Sequence, residues 1–431
     1  MKELLNKIQD KYLGKSRYKR NILRMVGARV ISQLIPILIS PLLTRIYTPK
    51  EFGVFQVYFT VVSITGIISN GRYALSILLP KKDADSQVLA LFSALLTALF
   101  TMLFWGALCV FRNDFFILLN IESIKQHLPL LAINVFFFGI AEVFFLLELK
   151  RKKYKKLILN IFVQSSTMII SRVLFGFKDM GACGLILSYL IGYIVSVLLL
   201  LCKIEIRVSL DVFKSRVKEL AKRYINFPKF SLLSDGMQNL TNLSPTILLN
   251  KCFGSDIAGY FSLSDKILGS PLWFITSSVG DVYRQEASEQ FRLKGSCKDI
   301  FVKTVRSLFF FGIVPFLLIF LIVPLLIPFV FGSDWTVTGT FVRIFSLMYF
   351  TAFLSNPILY TINILDKQKY SVVFQIMKLV SILIAFVVGV YFKNFIMTLV
   401  IWSVLVSISN VFILYVSYRL VSKINKKQDE S

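Results

Sequence analysis

Blocks of twenty or more mostly apolar residues recur along the whole of this 431-residue chain. That length matches the roughly 20 residues a helix needs to cross the hydrocarbon core of a bilayer. In lipid every backbone N–H and C=O must be satisfied internally, so such blocks have to be helical. A β-barrel is excluded, because its strands would alternate apolar and polar positions in short segments. Composition agrees: 56% of the residues are hydrophobic and 17% charged, with a mean hydropathy of +0.70, against about 25% charged in an ordinary soluble domain. The pattern predicts an all-α integral membrane protein of about twelve transmembrane helices. They fall at 22–46, 52–79, 86–111, 127–148, 157–177, 180–202, 227–250, 257–282, 305–331, 338–364, 370–392 and 395–418. The seventh is the most polar of these, because it carries Ser231, Ser234, Asp235, Gln238 and Asn239.

Charge placement orients the spans. Loops on the cytoplasmic side are enriched in Lys and Arg. With an inside N-terminus, the inside segments hold 36 basic residues and the outside loops 7. A missing helix would invert every later loop and destroy that contrast. Both termini are therefore expected in the cytoplasm, with the chain in the inner (plasma) membrane. Residues 1–21 read as a basic tail without a cleavage site, 22–202 as a six-helix bundle, 203–226 as a basic cytoplasmic linker, 227–418 as a second six-helix bundle and 419–431 as a polar tail. The net charge of +25 is this orientation signal together with attraction to anionic lipid headgroups; it does not point to nucleic acid.

The two bundles share a pattern. Leu42, Leu43, Arg45, Tyr47, Gly53 and Phe55 lie 206 residues before Leu248, Leu249, Lys251, Phe253, Gly259 and Phe261. Each set occupies the hairpin between the first and second helix of its half. Six helices per half is an even number, so the repeats run parallel about an axis along the membrane normal, an arrangement in which transporters place a substrate path between halves. Pro36 and Pro41 in the first span and Pro245 in the seventh fall on equivalent helices, with Pro271 in the eighth. Each removes a backbone hydrogen bond and bends its helix.

Catalytic chemistry is hard to find. No phosphate-cradling Gly-rich loop with GKS/T is present, and the loops lack carboxylates paired for acid–base work. Cys109, Cys183, Cys202, Cys252 and Cys297 are scattered and His127 is the one histidine, so a His/Cys metal site is not expected. The informative residues are the charges inside spans, since each costs at least ~2.5 kcal/mol at mid-membrane unless it meets a cavity, a partner or a substrate. The cations are Arg29, Arg72, Arg172, Lys266, Arg343 and Lys378. Arg343, near its span end, reads as a snorkelling side chain. The acids are Glu142, Asp235 and Asp265, with Asp281 and Glu148 near the inner ends. The excess of cations predicts a water-filled cationic path for an anionic passenger, in which Arg forks and Lys point charges grip a diphosphate; internal ion pairing is the competing reading at Arg72, Arg172, Lys266 and Lys378. Asp235 with Gln238 and Asn239 forms a polar stripe that binds sugar hydroxyls, takes up a coupling proton or sodium ion, or bonds helices together. Glu142 and Asp265 are read alongside it.

The stretch Leu42-Leu43-Thr44-Arg45-Ile46-Tyr47-Thr48-Pro49-Lys50-Glu51-Phe52-Gly53-Val54-Phe55 resembles the first outer hairpin of Wzx-type polysaccharide flippases of the multidrug/oligosaccharidyl-lipid/polysaccharide (MOP) exporter superfamily. Gly71-Arg72-Tyr73-Ala74-Leu75-Ser76-Ile77-Leu78-Leu79-Pro80-Lys81-Lys82-Asp83 is similar to that family's second-span ending. There an acidic residue often follows Arg-Tyr, whereas here Ala74 does, which leaves Arg72 to a substrate or to a more distant acid. The resemblance implies a MATE/MOP-like fold and alternating-access passage of undecaprenyl-diphosphate-linked oligosaccharide units to the outer leaflet. It further implies no bound cofactor beyond a coupling proton or sodium ion, and partners among the polymerase and chain-length proteins of polysaccharide assembly. The alternatives are a drug/cation antiporter of the same superfamily, whose cationic passengers fit poorly with intramembrane cations, and a polymerase or ligase, which needs a larger external loop or catalytic domain.

Overall fold

A computed structural model describes residues 38–111, 128–202, 204–365, 367 and 369–429, and the regular elements among them are all helical. Nine of these helices are long and apolar enough to cross a membrane, and they coincide with the second to sixth and ninth to twelfth expected spans. The chain is a multi-pass membrane protein. Of the first expected span only 38–46 is described, and it is helical. The seventh and eighth are helices too, Leu232–Phe253 and Ser255–Lys294. They fall short of apolar spans because charged and amide residues interrupt them, and a polar membrane helix has to face protein or water.

The described residues form two compact units. The first runs to Tyr47 and then over Val54–Leu240; the second is Thr48–Gly53 with Thr241–Ser431. The division falls inside the expected seventh span and not at the basic connection. The reason is that part of this connection folds onto the first unit as an amphipathic helix.

The first long helix, α1 (Pro49–Ser69), begins with a reciprocal cap. Thr48 N–H donates to the Glu51 carboxylate at 2.7 Å, and Glu51 N–H donates to the Thr48 hydroxyl at 3.3 Å. Proline follows at the first helical position, where its missing N–H costs nothing. The expected second span does not continue to 79. It stops at Ser69, Gly71 and Arg72 take left-handed φ values of 57° and 60°, and a four-residue helix, α2 (Tyr73–Ser76), follows. Glycine adopts that conformation freely, but an L side chain pays roughly 1–2 kcal/mol for it.

The rest of the first unit is α3 (Asp83–Val110), α4 (Leu128–Lys150), α5 (Tyr154–Gly176), α6 (Gly181–Leu201) and α7 (Leu210–Arg223). Helix α7 lies in the stretch expected as a linker. Leu220 is buried in the unit's core, with Phe213, Val217 and Tyr224 packed against it. Arg216 pairs with Asp85 at 2.5 Å, and the Tyr73 hydroxyl donates to the Ala221 carbonyl at 3.0 Å. Lys214, Lys218 and Lys222 stay exposed.

The second unit contains α8 (Leu232–Phe253, from Thr241 onward), α9 (Ser255–Lys294), α10 (Lys298–Leu321), α11 (Val323–Phe331), α12 (Thr336–Ser355), α13 (Tyr360–Ile364), α14 (Lys369–Tyr391) and α15 (Phe395–Asp429). The expected ninth span therefore breaks at Ile322, just before Pro324, into α10 and α11. At 40 residues, α9 is about 60 Å long, twice the hydrocarbon thickness. An aromatic core of Phe261, Phe341, Phe345, Phe386 and Trp402 holds the bundle, while Phe309, Phe310, Phe311, Val314 and Leu317 on α10 are exposed as a lipid-facing flank.

Helices α1 and α9 cross backbone to backbone. A Cβ on Gly53 would lie 1.7 Å from the Ser255 carbonyl oxygen, and one on Gly259 would lie 1.9 Å from the Pro49 carbonyl oxygen. Adding 206 to Pro49 and Gly53 gives Ser255 and Gly259. The contact is therefore reciprocal under the sequence repeat.

Candidate functional site

In the first unit, Glu142 gathers the polar residues around the break in the second span. Gly139 brings α4 close: a Cβ there would lie 2.5 Å from Ser69 Oγ and 2.7 Å from Thr97 Cγ2. One turn on, the Glu142 carboxylate accepts from Asn70 Nδ2 at 2.9 Å and pairs with Arg72 at 3.4 Å. The left-handed backbone at Arg72 is offset by this charge-assisted contact. The more distant acid left open for Arg72 is thus Glu142. Nearby Glu148 is fully buried and bridges Lys153 at 3.3 Å and Lys156 at 3.1 Å.

Arg172 on α5 has a different setting. Its guanidinium lies 4.9 Å from the Phe55 ring centre and its Nε donates to Ser188 Oγ at 3.2 Å. The Tyr47 hydroxyl donates to the Arg172 carbonyl at 2.7 Å, which ties the repeat hairpin to α5. Phe55, Phe59, Tyr189 and Tyr193 continue as an edge-to-face aromatic cluster. Among the described residues no ion pair joins Arg172 to a carboxylate.

In the second unit Lys266 lies over the Phe52 ring at 5.1 Å, and exposed Arg343 lies over Phe320 at 5.8 Å. Asp265 points elsewhere, into a cavity of about 340 Å³ that also takes in Lys378, Asn410, Asn242, Tyr349 and Trp402. Although α9 is packed deep in the bundle here, Asp265 is exposed because the cavity opens over it. The Tyr349 hydroxyl donates to Asp265 Oδ1. Gly269 makes room for the pair, since a Cβ there would lie 3.2 Å from that oxygen. Lys378 Nζ sits 4.3 Å from the Phe374 ring centre. The Asn410 side chain is buried and its Nδ2 donates to Thr351 Oγ1 at 3.0 Å, while its Oδ1 has no partner.

The sequence-derived set is therefore divided. Arg72 and Glu142 come together; Asp265 and Lys378 share a cavity; Arg172 and Lys266 rest on aromatic rings. Asp235, Gln238 and Asn239 fall on the backbone of α8, and their side chains lie outside the described residues, as does Arg29 altogether. Sequence reasoning missed Tyr349, Trp402 and Asn410. Asn410 had a signal, an amide amid the apolar run of the last span; the two aromatics had none, since 14% of the chain is aromatic.

A family model described as "Polysaccharide biosynthesis protein" matches residues 42–340, more than half of the chain. The chain belongs to that family. No curated protein matches it by sequence. Among solved structures it is similar to the lipid II flippase MurJ in an inward closed conformation, at 13% identity and a TM-score of 0.70, covering 95% of this chain and 90% of that one. It is also similar to an inward-facing multidrug resistance MATE family transporter of the MOP superfamily, at 14% identity and a TM-score of 0.60, covering 96% and 97%. A MOP superfamily transporter from Pyrococcus furiosus matches at 14% identity and a TM-score of 0.58, covering 95% and 96%. At these identities the likeness is one of fold: an all-α, MOP-like membrane protein.

Proposed function

We propose that this chain is a flippase that moves undecaprenyl-diphosphate-linked oligosaccharide units from the cytoplasmic to the outer leaflet of the inner membrane by alternating access. Its termini lie in the cytoplasm and it works beside the polymerase and chain-length proteins of polysaccharide assembly; it is not itself an enzyme. The observation that carries this reading is membership of a polysaccharide biosynthesis family by a chain with the fold of MurJ and MATE proteins. The intramembrane cations supply a physical route. A cation over an aromatic face is held without being neutralised, so Arg172 on Phe55 keeps charge available for a diphosphate, and Lys266 over Phe52 belongs to the same proposed path. Arg29 belongs to the same diphosphate path, and Lys378 joins the proposed substrate path at the cavity it shares with Asp265. Arg72 is tied to Glu142, and this pair, with Asp235, is where a coupling proton or sodium ion would act.

The deciding experiment is leaflet-resolved detection of the lipid-linked repeat unit in cells with and without the protein. Accumulation of the unit in the cytoplasmic leaflet on deletion supports flipping. Normal flipping with unpolymerised units in the outer leaflet would instead make the chain a polymerase.

A further inference from the structure

The 340 Å³ cavity of the second unit does not suit a diphosphate. Among the described residues it holds one ammonium, Lys378, and one carboxylate, Asp265, whose formal charges balance. A doubly charged phosphate placed beside Lys378 would also meet Asp265, and like charges at such range disfavour both being ionised. The remaining wall is neutral and mixed. Exposed Asn242 offers an amide, and Trp402, Tyr349 and Phe261 offer rings. Asn410 backs the wall from within the bundle, fully buried, with its amide nitrogen spent on Thr351. The Tyr349 hydroxyl likewise fixes the Asp265 carboxylate by one oxygen, as a preoriented acceptor.

A ligand that meets all these demands is uncharged, carries several hydroxyls and has one apolar face. A pyranose ring fits. Its edge hydroxyls both donate and accept, serving Asp265, Asn242 and Lys378 at once, and the weakly positive C–H groups of its face match the negative face of an aromatic ring. The volume lies at the lower end of small-molecule sites, roughly 300–1,000 Å³, which suits a single sugar ring and not a whole oligosaccharide.

We propose that this cavity is a sugar subsite, in which Asp265, Asn242 and Lys378 bind ring hydroxyls of one residue of the repeat unit against the Trp402 and Tyr349 rings. This rests on the flippase reading above and adds to it the residues that discriminate among glycans. Lys378, Trp402 and Tyr349 all lie beyond residue 340, where the family match ends, so family membership does not assign them.

The test uses the full chain in detergent, with farnesyl diphosphate as the sugar-free probe and the same diphosphate bearing glucose, galactose, N-acetylglucosamine or fucose. The readout is the affinity ratio of the best sugar-bearing probe to the sugar-free one. With two charge-assisted hydrogen bonds and one stacked face, the wild-type ratio should reach about tenfold or more. Asp265→Asn and Trp402→Leu should each bring it to within about twofold, whereas Trp402→Phe, which keeps a ring, should retain most of it. If farnesyl diphosphate binds and no sugar adds affinity, or if the ratio survives both Asp265→Asn and Trp402→Leu, the subsite is wrong and the flippase reading stands. If no probe binds at all, the flippase reading falls and takes the subsite with it.

Discussion

At the scale of single residues, the Arg72–Glu142 pair sets the hardest constraint. Arg72 holds a left-handed backbone, and its side chain is largely screened from solvent, as is that of Glu142. Removing one member of a pair in such surroundings takes away a compensating charge from the other, at a cost of up to about 3 kcal/mol. Glu142→Gln should therefore lower thermal stability in detergent, and the double variant Arg72→Gln/Glu142→Gln should lose less than the sum of the two single losses, because the pair is counted once. A loss in the double variant equal to the sum of the two single losses would show that the two residues act independently. Arg172 and Lys266 call for the opposite outcome. Each lies over an aromatic ring and belongs to the proposed path, so Arg172→Ala and Lys266→Ala should impair polymer export while the protein still accumulates in the membrane. Unchanged export in both would remove them from the proposed path.

At the scale of elements, the Gly53–Gly259 crossing ties the sequence repeat to packing. The calculated Cβ positions lie inside carbonyl oxygens of the facing helix, and no rotamer relieves a clash made by Cβ itself. Gly53→Val and Gly259→Val should each sharply reduce the yield of folded protein, and to similar extents, because the contact is reciprocal. Gly106→Ala on α3 is the matched control, as nothing lies within 4 Å of its Cβ; it should be neutral or slightly stabilising, given the roughly 1 kcal/mol helix preference for alanine over glycine. These elements also show what was legible in the sequence. The apolar spans could be read because lipid leaves a backbone no alternative to helix. The break at Gly71–Arg72 carried a signal, the Asn70-Gly71 turn dipeptide, which the apolar runs on either side of it masked. Helix α7 was hidden for another reason: its charge marked it as a connection, and only the spacing of Phe213, Val217 and Leu220 showed the face that joins the core. The cavity was half legible. Asp265 and Lys378 stand out as charges in spans, but that they share one space depends on how α9 and α14 pack, and on Tyr349 and Trp402, which look like any other membrane aromatic.

At the scale of the whole molecule, the open quantity is orientation, and charge supplies the argument. Lys and Arg resist translocation, so the contrast of 36 basic residues against 7 predicts a cytoplasmic α7. Lys214 on α7 and Lys178 between α5 and α6 are both exposed and lie in connections expected on opposite sides. A single cysteine at each position can be probed with a membrane-impermeant thiol reagent in whole cells. Four native cysteines have to be replaced by serine first: Cys109, Cys202 and Cys252, which are exposed, and Cys183, which is partly so. Cys297 can remain. Burial pushes its thiol up to about 11, and since the thiolate is the reacting form, it stays inert near neutral pH. Lys178→Cys should then be labelled in intact cells and Lys214→Cys only after permeabilisation. The reverse pattern would place the N-terminus outside, and with it would reverse the direction in which the proposed passenger is carried.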